Sequence, residues 1–307
     1  MLLLWRLAAI ALWVTASSAS FYYKYCEAFP DNTIEYCFED VSDDSQAYFN
    51  AAVNIWTSSG IPVTYKNIGA CPNSDSSSDL SKMLIVSTWY ETYHSSSYGY
   101  RYAQTGDFQY LKIGLWYNTH TTAIGKKKAI IGSLVHELGR VMCLLNENQR
   151  PDLADELTWN CKNLADYSLA KSSAAKQKVL DGCDGIAAAA SARSYGAWTY
   201  APYPSGNEQY ELSDSVDYNS VMFVNGIPQS KSKLAGSTRV ITTKAGKKIT
   251  GSVWYDGPSA KDIAAIEAIC EERPPELPAR PETNVEDSDP VPPYVEFEEQ
   301  PPDYECW

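Results

Sequence analysis

One segment constrains this chain more than any other: Ala129-Ile-Ile-Gly-Ser-Leu-Val-His-Glu-Leu-Gly-Arg-Val-Met-Cys-Leu-Leu-Asn-Glu-Asn-Gln-Arg-Pro-Asp152. It reads as an apolar helix with His136 and Glu137 side by side. An adjacent His-Glu pair is an ordinary core feature as readily as a chemical one. The residues around it decide between the two.

Compartment is the first of those surroundings. The N-terminus carries one basic residue, Arg6, an apolar run from Leu7 to Val14, and the small residues Thr15-Ala-Ser-Ser-Ala-Ser20. That pattern predicts a secretory signal peptide over 1–20, cleaved before Phe21. A membrane anchor would need about 20 apolar residues, and no segment supplies them. All eight cysteines follow the expected cleavage point. An even number in an exported chain predicts disulfides, with Cys161–Cys183 the first pair to expect because the two flank a short polar segment. No Asn-x-Ser/Thr acceptor is present, so N-glycosylation is not expected.

The net charge of −13 is unevenly spread. Residues 271–307 hold twelve acidic and two basic side chains together with nine prolines, which predicts a disordered acidic tail. The remainder is close to neutral. Without a basic stripe, no nucleic-acid partner is expected, and Lys126-Lys127-Lys128 reads as a solvated helix start.

The 44% hydrophobic content supports a sizeable core, in one large domain over 21–270. Asp44 to Thr57 spaces Ala47, Phe49, Ala52, Val53 and Trp56 as a helix face. Strands are predicted at 29–38, 61–65, 82–90 and 111–117. The crowded tyrosines between the last two, Tyr90 to Tyr102, are expected in an exposed hairpin or loop. Residues 153–215 predict helical and loop structure. Residues 240–243 and 248–254 read as a late hairpin, and Ser259 to Cys270 as a capped amphipathic helix. Mixed strands and helices give an α+β class.

Laid on the pattern His-Glu-x-x-His-x-x-Gly-x-x-His, the helix has His136 and Glu137 in place. Arg140 stands at the second ligand position, Cys143 at the turn glycine and Asn146 at the third ligand. The following Glu147-Asn-Gln-Arg-Pro-Asp152 resembles the stretch after the third histidine in the astacin family of secreted zinc metallopeptidases. Asp217-Tyr-Asn-Ser-Val-Met222 resembles that family's Met-turn. Residues 259–270 resemble its terminal helix, and Phe29-Pro-Asp-Asn-Thr-Ile-Glu-Tyr36 its opening strand.

The resemblance implies a metzincin fold: two subdomains flanking a cleft, a mixed sheet, the active-site helix at the cleft base and Met222 beneath the metal. It implies zinc as cofactor, His136 as a ligand and Glu137 as the residue that activates metal-bound water. The family buries its mature N-terminus near the position of Glu147, whereas the N-terminal end of this chain departs from the pattern. No propeptide of the usual length is seen, so latency control is expected to be absent. The family's tyrosine two residues after the Met-turn methionine is Val224 here.

A catalytic zinc needs three protein ligands and a water. A guanidinium has no lone pair and repels a dication, so Arg140 opposes metal binding. It is expected to pair with Glu137 or another carboxylate instead. Asn146 offers only an amide oxygen. Cys143, about 10 Å along the helix from His136, is expected as a small buried hydrophobe or a disulfide partner. His94 and His120 are expected at the surface. No Ser-His-Asp or Cys-His set replaces the metal.

The sequence therefore predicts an extracellular homologue that is inactive as a protease and binds a protein or peptide through the old cleft, with zinc weakly bound or not at all. Two other readings stand beside it. One is an active zinc endopeptidase with unusual ligands. The other is an interaction protein working through its acidic tail, with Cys306 available for linkage if Cys143 is free.

Overall fold

A computed structural model describes residues 21–23, 26–72, 82–89, 94–100, 109–114, 123–164, 167, 172–181, 183, 201–203, 205, 210–212, 215–224, 239–246 and 257–271. The expected signal peptide, the acidic tail, His120 and residues 248–254 lie outside them.

The first core is built on a five-stranded sheet. Its strands are β2 (Thr33–Glu39), β3 (Thr64–Ala70), β4 (Leu84–Trp89), β5 (Ser95–Ser96) and β6 (Gln109–Gly114), in the order β3-β2-β4-β6-β5. The first four in that order run parallel, and β5 closes the edge antiparallel to β6. Alternation sends Leu84, Val86, Leu111 and Ile113 inward. Strand β3 begins at Thr64, three residues later than the sequence suggests, because Pro62 has no N–H to give a ladder. The Cys37–Cys71 disulfide ties β2 to the end of β3.

Helix α1 (Asp43–Ser58) starts at Ser42, whose hydroxyl accepts from the Ser45 N–H, with Asp43 and Asp44 in the positive first turn. It buries Phe49, Ala52, Val53 and Trp56. Its main partner is helix α2 (Ala123–Val141), and the Trp56 indole donates to the Val135 carbonyl at 2.9 Å.

A second, smaller core gathers Leu153, Leu157, Leu164, Val179, Phe223, Val240 and Ile241. Helix α3 (Ser173–Asp181) borders it, and a Cys161–Cys183 disulfide braces it. Strand β9 (Ile241–Thr243) pairs with β7 (Leu157–Trp159), a contact over eighty residues of chain. Consecutive residues face the two cores: Met222 belongs to the first, Phe223 to the second. Helix α4 (Ala260–Glu271) returns to the first core through Ala265, Ile266 and Ile269. A two-stranded patch, β1 (Tyr22–Tyr23) with β8 (Tyr210–Glu211), holds the N-terminal end of the described chain.

Candidate functional site

Helix α2 carries His136, Glu137 and Arg140, and its exit sets everything downstream. Cys143 takes φ 77°, the left-handed region that favours glycine. The Leu144 N–H bonds the Gly139 carbonyl at 3.0 Å and the Cys143 N–H bonds the Arg140 carbonyl at 2.9 Å. This is a Schellman turn with cysteine where glycine is usual. Cys143 is bonded to Cys26, so it is not a spare thiol. Cys270 is the free cysteine among the described residues.

Beyond the turn the chain doubles back. The Asn146 amide lies beside the His136 ring, and its Nδ2 donates to Gln149 Oε1 at 2.7 Å. Gln149 is fixed in turn by donating to the Ala201 carbonyl at 2.8 Å. The Met-turn approaches from below. His136 Nδ1 lies 3.0 Å from the Val221 carbonyl. Burial pushes the ring's pKa below its ordinary value, so the ring is neutral and that nitrogen carries the proton. Met222 is fully buried under Gly139, where a Cβ would stand 2.5 Å from its sulfur. Val224, at the family's tyrosine position, is buried and donates its N–H to Asn148 Oδ1.

The Met-turn is clamped from α4. Asp262, fully buried, accepts from the Ser220 hydroxyl at 2.6 Å, the Val221 N–H at 2.9 Å and the Ser259 N–H at 3.0 Å. Asp217 accepts from the Ser259 hydroxyl. A sequence pattern shows a Met-turn and a terminal helix; it does not show that one carboxylate joins them.

Glu137 is 6% exposed and held from two directions. The Ser96 hydroxyl donates to its Oε2 at 2.6 Å, and Arg140 Nη1 stands 3.5 Å from the same oxygen. The guanidinium also lies 4.3 Å from the centre of the Tyr98 ring, and Tyr98 is hydrogen-bonded to both Arg140 and Tyr203. Burial raises the pKa of both tyrosines, so they are neutral. Ser96, Tyr98 and Tyr203 are the site residues that sequence reasoning misses. In the described part of the Tyr-rich segment, residues 94–100, edge strand β5 does run antiparallel to β6, but the segment is buried or half-buried against α2 and not exposed. His94 is likewise buried, at 3% exposure, and its Nδ1 accepts from the Gly114 N–H at 3.0 Å. The expectation of a surface position for His94 therefore does not hold.

A second carboxylate sits past the turn. Glu147 is fully buried and accepts from Arg150 Nη1 at 3.0 Å, the Asp217 N–H at 3.0 Å and the Phe21 N–H at 3.1 Å. Arg150, also fully buried, reaches on to Asp152 with two further bonds. Phe21, the first described residue, thus meets Glu147. The rings of Phe21, Tyr203 and Tyr210 pack together over this contact.

The donor set does not fit a catalytic zinc. Asn146 Oδ1 is a buried oxygen without a hydrogen-bond partner among the described residues, so one lone pair does accompany the His136 imidazole. The remaining ligand position brings a guanidinium already engaged with Glu137. Among the described residues no group of three His, Cys, Asp or Glu could hold a metal ion.

The chain matches no protein-family model and no curated protein. It is similar to solved structures. One is myroilysin, at 13% identity and TM-score 0.50, covering 82% of this chain and 98% of that one. Another is high choriolytic enzyme 1, a hatching enzyme zinc-protease of the medaka fish Oryzias latipes, at 15% identity and TM-score 0.46, covering 80% and 94%. A further myroilysin structure gives 13% identity and TM-score 0.44, over 81% and 92%.

Proposed function

From the premise that the chain has an astacin-like metzincin fold, we propose that it is a secreted homologue of the zinc peptidases that has lost metal catalysis and binds a protein or peptide through the old cleft. The observation that carries this is the Arg140 guanidinium, held between the Glu137 carboxylate and the Tyr98 ring at a metal-ligand position. It supplies a fixed positive charge beside Glu137, where the parent design needs a lone pair. Without a Lewis acid, Glu137 has nothing to lower the pKa of an attacking water.

Three disulfides fit an oxidising compartment, and no helix among the described residues is long and apolar enough to cross a membrane. The disulfides support an extracellular setting.

The test is elemental analysis of the purified full chain, with a peptide library presented alongside. We expect substoichiometric zinc, no cleavage with zinc supplied, and retention of extended peptides that Arg140→Glu weakens. One zinc per chain with chelator-sensitive cleavage would overturn the loss of catalysis. A library from which nothing is retained would overturn the binding role.

A further inference from the structure

We propose that the Cys26–Cys143 disulfide does the work of the missing turn glycine, holding residue 143 left-handed so that Asn146 is delivered to His136. The inference concerns the site's geometry and stands whether or not the cleft takes a peptide.

A side chain at a left-handed position is disfavoured by roughly 5- to 30-fold against the ordinary helical conformation. Left alone, Cys143 would let α2 run on, and residues 144–147 would leave in another direction. Yet both hydrogen bonds of the turn are formed, and Cys143 keeps φ 77°. Something other than intrinsic preference must hold it there.

The cross-link is in position to do so. Cys143 is 1% exposed and Cys26 8%, so the bond is packed from all sides. The Tyr98–Tyr100 corner fits against it: a Cβ on Gly99 would fall inside the Cys26 sulfur and 2.7 Å from that of Cys143. Gly99 donates its N–H to the Arg140 carbonyl at 3.4 Å, and Tyr100 donates to the Glu27 carbonyl at 3.1 Å. The chain leaving the turn then runs beside the segment that carries Cys26. Leu144 bridges Tyr22, and the Leu145 N–H bonds the Phe21 carbonyl at 2.9 Å. One covalent bond thereby fixes the helix end, the N-terminal segment and the edge-strand corner together. The Glu147 N–H reaches the Met222 carbonyl at 3.0 Å only because the chain has turned.

The experiment compares two double variants of the full chain, Cys26→Ala with Cys143→Gly and Cys26→Ala with Cys143→Ala. Neither has the cross-link; only glycine enters the left-handed region freely. Two readouts are followed, the melting temperature and the His136 ring resonances by NMR, assigned with His136→Gln. We expect the glycine variant to keep the wild-type His136 resonances. The alanine variant should lose them and melt about 2 to 8 °C lower than the glycine one. If the alanine variant retains the wild-type His136 signature, the disulfide is not needed for the turn. If glycine rescues no better than alanine, including the case where both fail to fold, the disulfide acts elsewhere. Either result overturns the proposal.

Discussion

Two Glu-Arg pairs, each three residues apart, sit on opposite sides of one turn. They differ in what their surroundings ask of them. Glu147–Arg150 is a closed lock: both side chains are fully buried, the contact is 3.0 Å, and backbone N–H groups from Phe21 and Asp217 complete the carboxylate. Glu137–Arg140 is looser: the contact is 3.5 Å, Arg140 is one-fifth exposed, and one hydroxyl assists. The first pair belongs to the architecture and every part of it is answered. The second is answered only in part. Two pairs of the same chemistry and spacing therefore do different work: one closes the frame with its charges satisfied, the other leaves a cation at the surface of the helix.

The contrast can be broken most directly at the arginines. Arg150→Ala strands a buried carboxylate and should cost about 3–5 kcal/mol, read from urea unfolding. Arg140→Ala should cost no more than about 1 kcal/mol, because its pair is long and partly screened. Equal losses would mean the second pair is as structural as the first.

Acid should separate the pairs next. His94 immediately precedes the strand that brings Ser96 to Glu137, and burial lowers its pKa from 6.5 to about 3. The released or unfolded form therefore takes up the proton first. The stability that His94 contributes is complete above pH 6.5 and is lost as pH falls toward 3. Amide exchange followed from pH 7 to 4 should show β5 opening before residues 147–150. Simultaneous opening would place His94 outside the Glu137 side of the comparison.

The lock has its own dependence on processing. Cleavage before Phe21 would turn the N–H now 3.1 Å from Glu147 into an ammonium. N-terminal sequencing of exported protein should then read Phe-Tyr-Tyr. Acetylating that terminus should cost about 1.5–3 kcal/mol, the value of a charged hydrogen bond. A start elsewhere in the chain would leave Glu147 with Arg150 as its sole counter-charge from the described residues around it.

Ser96→Ala removes one donor from Glu137 and should cost about 1 kcal/mol. A loss equal to that of Arg150→Ala would show that the strand, not Arg140, keeps Glu137 in place.

Much of the frame was legible because it is local. Helices α1 and α4 announce themselves by apolar spacing and by Ser42 and Ser259 at their starts. The ligand positions were legible because the spacing of His136, Arg140 and Asn146 belongs to one helix and its exit. What failed was non-local. Ser96 lies forty-one residues from Glu137, and Phe21 lies 126 from Glu147. Strand β9 pairs with β7, more than eighty residues earlier in the chain. The Tyr-rich stretch looked like surface because nothing in its composition reports the helix beneath it.

Gly139 and Arg140 are neighbours with opposite prospects under mutation. At 139 even a methyl group would enter the space of Met222 and press on Trp56. At 140 the side chain is one-fifth exposed and has room beside Glu137 and Tyr98. A saturation scan of expression level should find intolerance at one position and latitude at the next. The tightest constraint on this helix is then steric, and it falls on a residue with no side chain at all.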